Sequence, residues 1–253
     1  MSYKVNDAIK VLEELFPLEN AMDYDNPGLL TGSRDQDLNG ILLTLDCSSD
    51  PVKIAKEKGL NMIIAHHPLI FGGIDNVCFD NSTGRILSGL IKNDIALYAC
   101  HTQLDCTEEF GNLAICDAIG YKGVPLEGAT IGSVFDTDTT LGVIAAEAVK
   151  GLDASGAITL SSKEEKVKRV FVQGGAFDED NISLLMKSGV DLVITGEMKH
   201  HHMVFLMENG ISTLLLGHNA TERIYLPKLK RVLEGRLNDL PIFVDFGKER
   251  TLL

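Results

Sequence analysis

Short apolar runs alternate with amphipathic stretches along most of this chain. Gly40–Asp46 (GILLTLD), Leu60–Ala65 (LNMIIA) and Ile95–Cys100 (IALYAC) are apolar on both faces. Runs of that length and character predict buried strands of a parallel sheet. Val167–Gln173, Val190–Thr195, Ile211–Leu216 and Pro241–Phe246 predict further strands, with a short one at Ala157–Leu160. Between them the apolar period lengthens. Val5, Ile9, Leu12 and Phe16 share one face of an N-terminal helix, and Ile86, Leu87, Leu90 and Ile91 line another at Thr83–Asn93. Asp50–Gly59 carries Pro51 in its first turn and Gly59 at its end, the punctuation of a helix. Asn112–Ile119, Leu141–Lys150, Asp178–Gly189 and Ala220–Leu237 also read as helical, and the run His200–His202 opens one more. Regular alternation of this kind predicts an α/β fold with mostly parallel sheets. From Gly120 to Gly142 the pattern lapses into Gly, Thr and Asp, which marks a change of lobe.

The histidines fall at chosen points of this pattern. There are seven: His66-His67 directly after one strand, His101 after the next, the run at 200–202, and His218. His101 precedes Asp105, and His218 precedes Glu222, each by four residues. Ligands of open α/β sheets bind off the carboxyl ends of the strands, and His66/His67, His101, Glu197 and His218 each follow a separate strand. A single His-x-x-x-Glu pair is ordinarily a surface helix contact, and a His-His-Pro after a strand can be only a turn. His202 reads as solvent-facing. The collective placement outweighs those readings. Imidazoles with carboxylates suit Zn, Fe, Mn, Co or Ni rather than Mg or Ca. Six such groups (His66, His67, His101, Asp105, His218 and Glu222) exceed what one open site needs and fit two divalent ions. Two ions ~3.5–4 Å apart can hold a bridging hydroxide as nucleophile.

Composition narrows the classes. Hydrophobic content of 45% with 23% charged residues is that of a soluble globular protein. No apolar run reaches the ~20 residues of a membrane span. The N-terminus lacks a secretory pattern. A net charge of −13 disfavours nucleic acid as partner, and the densest basic patch, Lys228–Arg231 with Arg223 and Arg236, reads as one solvated helix face. Cys47, Cys78, Cys100, Cys106 and Cys116 include no C-x-x-C pair. An odd count without paired spacing predicts reduced thiols and a cytoplasmic protein. Cys106, beside Asp105, is not expected to be a ligand. Gly174-Gly175 lacks a phosphate-loop pattern and reads as a tight turn. Asp46 suits a helix cap or a partner of a ligand equally.

Five segments in order, MDYDNPGLLTG (22–32), IIAHHPLIF (63–71), YACHTQLD (98–105), TGEMKHH (195–201) and GHNATE (217–222), resemble the motifs of the NIF3-like proteins. That family is also labelled GTP cyclohydrolase 1 type 2. The resemblance is weakest at about 123–165. Where the family's first motif has a Trp, this chain has Tyr24. The resemblance implies a two-lobed α/β subunit with mixed, mostly parallel sheets flanked by helices. The lobes would be 1–123, with the HHP and HTxLD motifs, and 124–253, with GExxHH and GHxATE. A dinuclear metal centre would lie in the cleft, in a homohexamer. His66, His67, Asp105, His218 and Glu222 would be the metal ligands and His101 a ligand or neighbour, with Glu197 and His200 on the substrate side.

The expected function is a metal-dependent hydrolase of a small molecule. A purine nucleotide opened at C8, with Glu197 or His101 moving protons, is one form, and phosphoester hydrolysis another. The alternative is a non-catalytic, metal-binding hexamer that binds a partner or senses metal.

Overall fold

The structure, a computed structural model, describes residues 2–107 and 109–247. It is α/β, and its described residues divide into two units. One runs to Thr107 and is taken up again from Leu226; the other lies between and ends at Tyr225.

The first unit holds a five-stranded sheet in the order Ile242–Asp245, Ile41–Asp46, Met62–His67, Ala96–Ala99, Gly28–Thr31. The first four strands are parallel and the last is antiparallel. Residues 41–45 and 62–66 are buried without alternation, as strands covered on both faces must be. Helix Ser49–Lys58 ends on Gly59 at φ +68°, which a residue without Cβ adopts freely. Helix Ser82–Lys92 is capped by the Asn81 side chain, which accepts from the Gly84 N–H at 2.7 Å. Leu42, Ile63 and Leu97 from the sheet pack with Val52, Ala55, Leu87 and Leu90 from these helices. Register matters for the chemistry: Ala65 pairs with Ala99 and Asp46 with His67, so the polar residues after each run emerge at one edge.

The second unit has its own five strands in the order Ser212–Leu215, Leu192–Glu197, Lys166–Ala176, Ser133–Thr140, Val124–Pro125. The first three are parallel and the others antiparallel. Val134, Phe171, Val193 and Leu206 are among its core residues.

Four details differ from the expectations. Strand Ser133–Thr140 falls where the apolar pattern lapses; only its first three residues are buried, so selection for apolar side chains acts on less than half of it. The strand expected at Ala157–Leu160 is a single bridge from Ile158 to Leu215. The helix expected over Ala220–Leu237 is two, His218–Glu222 and Tyr225–Arg236, with Pro227 in the first turn of the second, where its missing N–H costs least. The division expected at 123 also differs, because helix Asn112–Ala118 packs on strands 133–140 and 166–176, and the C-terminal strand returns to the first sheet. Among the described residues no helix is long and apolar enough to cross a membrane.

Candidate metal centre

In the first unit the centre grows from two strand ends. His66 and His67 close strand Met62–His67, and His101 follows strand Ala96–Ala99 as the cap of a short helix, Thr102–Asp105. Neighbours on a strand point apart, yet at this strand end the His66 and His67 rings stand 5.0 Å apart. The His101 ring lies 5.2 Å from one and 5.5 Å from the other. One ring nitrogen from each of the three lies within 4.8 Å of the others. The Asp105 carboxylate is 3.7 Å from His66 Nε2.

Each imidazole is fixed by its other nitrogen. His66 Nδ1 meets the Cys100 carbonyl at 2.9 Å, His67 Nδ1 the Asp46 carboxylate at 2.9 Å, and His101 Nδ1 the Asp25 carboxylate at 2.9 Å. A carbonyl or a carboxylate can only accept, so each Nδ1 carries the hydrogen and each lone pair sits on Nε2. That is the tautomer of a metal-ligating histidine held from behind.

Asp25 does the most of this work. Its side chain is fully buried. It accepts from His101 Nδ1, from the Thr102 N–H at 3.1 Å, from the Thr102 hydroxyl and from the Asn26 N–H at 2.7 Å. Burial pushes the carboxyl up, but hydrogen bonds from His101, Thr102 and Asn26 outweigh it and hold Asp25 well below the usual carboxylate range. Sequence reasoning missed this residue's role. An acid in a loop, among 36 acids, carries no local sign that its carboxylate is buried. Asp46, left open between two roles, pairs with His67, while Ser48 occupies the helix cap.

The second unit holds a group of a different construction. His218 and Glu222 stand one turn apart on helix His218–Glu222, with Nε2 and Oε2 at 3.0 Å. His218 Nδ1 meets Glu197 Oε1 at 3.0 Å, again spending the ring's hydrogen on a carboxylate. His218 Nε2 and the buried Glu222 oxygen are then two electron-pair donors face to face, an arrangement that a cation or an added proton reconciles. Glycines make room for it. A Cβ on Gly175, at φ +62°, would run into the Glu222 carboxylate, and one on Gly196 would lie 2.8 Å from His218 Cα. Buried Thr221 accepts from the Gly175 N–H at 3.0 Å and bonds back to the His218 carbonyl at 2.9 Å. The Gly174-Gly175 pair, expected as a tight turn, lies inside strand Lys166–Ala176, where it lets the helix sit against the strand.

Glu197 is exposed and holds His218. His200 is exposed at the start of helix His200–Glu208 and belongs to neither group. His202 lies 3.5 Å from Glu179, which also pairs with Lys199 at 2.7 Å. The Cys106 thiol is pushed up to about 11 by burial and by Asp105, so it is neutral at physiological pH. A neutral thiol is not a ready nucleophile. Imidazole and carboxylate donors, set in the ligating tautomer and backed by acceptors, fit divalent transition-metal ions.

The sequence pattern of the Duf34/NIF3 (NGG1p interacting factor 3) family matches residues 3–249. The chain is 32% identical over 249 residues to a GTP cyclohydrolase 1 type 2 homolog of Clostridium perfringens, covering 93% of each. It is 30% identical over 245 residues to NIF3-like protein 1 of Drosophila melanogaster, covering 93% of this chain and 84% of that one. Among solved structures, a hypothetical protein of Staphylococcus aureus matches with a TM-score of 0.87 and 25% identity over 99% of both chains. Reduced HcgD from Methanocaldococcus jannaschii matches with a TM-score of 0.82 and 25% identity, covering 96% of this chain and 98% of that one. A pattern and relatives that span nearly the whole chain place it: the chain belongs to the Duf34/NIF3 family.

Proposed function

We propose that this protein is a metal-dependent hydrolase of a purine nucleotide, holding two divalent ions per chain with His66, His67, Asp105, His218 and Glu222. The observation that carries the reading is the tautomer: four imidazoles, His66, His67, His101 and His218, each spend Nδ1 on an acceptor and turn Nε2 to other work. A structural histidine needs no such consistency. The purine comes from the name of the Clostridium perfringens relative, a GTP cyclohydrolase 1 type 2 homolog.

Bound divalent ions would supply Lewis acidity and lower the pKa of water, which suits addition of water at an electrophilic carbon such as the purine C8. In this reading His101, oriented by Asp25, is the third imidazole beside His66 and His67. Glu197 keeps the His218 ring in place through Nδ1, and Glu197 with His200 moves protons on the substrate side. The homohexamer implied by the motif resemblance belongs to the same reading.

Elemental analysis of tag-free protein beside Glu222→Ala tests the metal. About two ions per chain, falling sharply in the variant, is the expected result. A negligible count that added Mn, Fe, Co or Zn cannot raise sinks it. With metal established, loss of the purine absorbance of GTP tests the chemistry. No turnover by the loaded protein removes the cyclohydrolase and favours a metal-binding role without catalysis.

A further inference from the structure

The helix that carries His218 and Glu222 rests on backbone that regular strand pairing does not fix. Strand Lys166–Ala176 pairs with strand Leu192–Glu197 at Gln173, opposite Thr195, and again at Ala176, opposite Glu197, with a register shift between. Its pairing with Ser133–Thr140 reaches no further than Val172. The register therefore skips Gly174 and Gly175, and two adjacent residues without Cβ are the most pliant backbone a strand can carry. Side chains hold them instead. Asn112 Oδ1 accepts from the Gly174 N–H at 2.7 Å, and Thr221 Oγ1 accepts from the Gly175 N–H at 3.0 Å. The Thr195 hydroxyl donates to the Gly175 carbonyl at 3.3 Å. All three side chains belong to buried residues.

Thr221 stands apart from the other two because it also bears on the ligands. A threonine that bonds back to a carbonyl three or four residues earlier is ordinary in a helix, and Thr221 does so, donating to the His218 carbonyl at 2.9 Å. What is not ordinary is that the same oxygen holds a neighbouring strand. Through it the main chain of one ligand, His218, is tied to Gly175, the residue whose missing Cβ leaves space for the carboxylate of the other, Glu222. A methyl group in place of the hydroxyl could make neither bond and would leave the Gly175 N–H without its acceptor.

We infer that Thr221 is a positioning residue for the metal: its hydroxyl, by joining Gly175 to the His218 backbone, sets the spacing of the His218 and Glu222 donor atoms. This role rests on the metal-binding part of the function proposed above.

Thr221→Val keeps nearly the same shape without the hydroxyl, and Thr221→Ser keeps the hydroxyl. Each is loaded with Co(II) at a temperature where circular dichroism shows it folded, and affinity is read by competition with a chromogenic chelator. The ligand-field absorption of bound Co(II) reports donor geometry, which a loss of fold stability alone would leave unchanged. Thr221→Val should bind at least one ion about 10-fold more weakly, the low end of the range for a lost partner behind a metal ligand, and with altered absorption. Thr221→Ser should stay near wild type in both. The inference is overturned, and the proposed metal centre stands, if Thr221→Val matches wild type, if its binding weakens with unaltered absorption, or if Thr221→Ser loses as much. Should Thr221→Val not fold, Thr221→Ala is read in its place; if neither folds, the hydroxyl serves the fold and the inference is overturned as well. A wild type that binds none of Co, Mn, Fe and Zn removes the metal reading itself, and the role of Thr221 falls with it.

Discussion

The two units hold their histidines in place by different means. In the first, hydrogen bonds do it: a backbone carbonyl and two carboxylates each take one Nδ1–H of His66, His67 and His101. In the second, the Glu197 carboxylate takes the His218 Nδ1–H in the same way, and clearance is added: His218 and Glu222 ride a five-residue helix seated against Gly175 and Gly196, where side chains would collide. The difference teaches where each is vulnerable. Acceptors can be removed with the backbone left standing, so the first group should lose ligand orientation before it loses fold. A Cβ on Gly175 would displace the Glu222 carboxylate, and one on Gly196 would meet the Gly175 carbonyl and the His218 Cα, so filling the seat disturbs ligand and backbone together.

The largest effect expected is that of Gly175→Ala. It combines a positive φ, about 1–2 kcal/mol, with overlap onto the Glu222 carboxylate, about 1–3 kcal/mol. Gly59→Ala is the control, because Gly59 has nearly the same φ, +68°, but a Cβ there would meet no heavy atom within 4 Å. Thermal melts followed by circular dichroism should place Gly175→Ala well below Gly59→Ala. Equal melting temperatures would mean that the seat yields, and the distinction between the two groups would break.

Next in size is Asp25→Asn, read as metal affinity. Replacing a partner behind a ligating histidine typically costs 10–100-fold in affinity, and a buried acceptor of several hydrogen bonds about 1–3 kcal/mol in stability. Competition with a chromogenic chelator should show the affinity loss in a protein that still folds. Unchanged affinity would show that His101 needs no carboxylate behind it, and the account of the first group would fail.

These two residues also mark what could be read from the chain alone. The strand-end histidines were legible because LNMIIA and IALYAC are mostly apolar runs with a histidine just past each end. The second sheet was harder. Strand Ser133–Thr140 leaves most of its length partly or fully exposed and so carries Asp and Thr like a loop. The role of Asp25 depends on His101 and Thr102, which lie 76 and 77 residues away in sequence. The need for glycine at 175 depends on Glu222, brought there by a helix that begins 43 residues later, at His218 (218 − 175). Local pattern reports burial and period. It does not report which distant group will fill the space beside a given backbone atom.

The smallest effect should come from Asp46→Asn, and its size sharpens the account of the first group. Asp46 and Asp25 make the same 2.9 Å contact to a histidine Nδ1, but the Asp46 side chain is 69% exposed and that of Asp25 is fully buried. An exposed carboxylate keeps its water, and its field at the ring is screened. The asparagine retains a side-chain oxygen that can accept the His67 Nδ1–H, so orientation largely survives. Metal affinity should therefore fall less than about 10-fold, below the range for a lost partner, and the gap to wild type should narrow as salt is raised toward ~1 M, where the Debye length is ~3 Å. Asp25→Asn should show less narrowing, because the Asp25 side chain is fully buried. If the two variants respond alike to salt, burial is not what separates these carboxylates, and the orienting power assigned to Asp25 would have to come from its bonds to Thr102 and Asn26 instead.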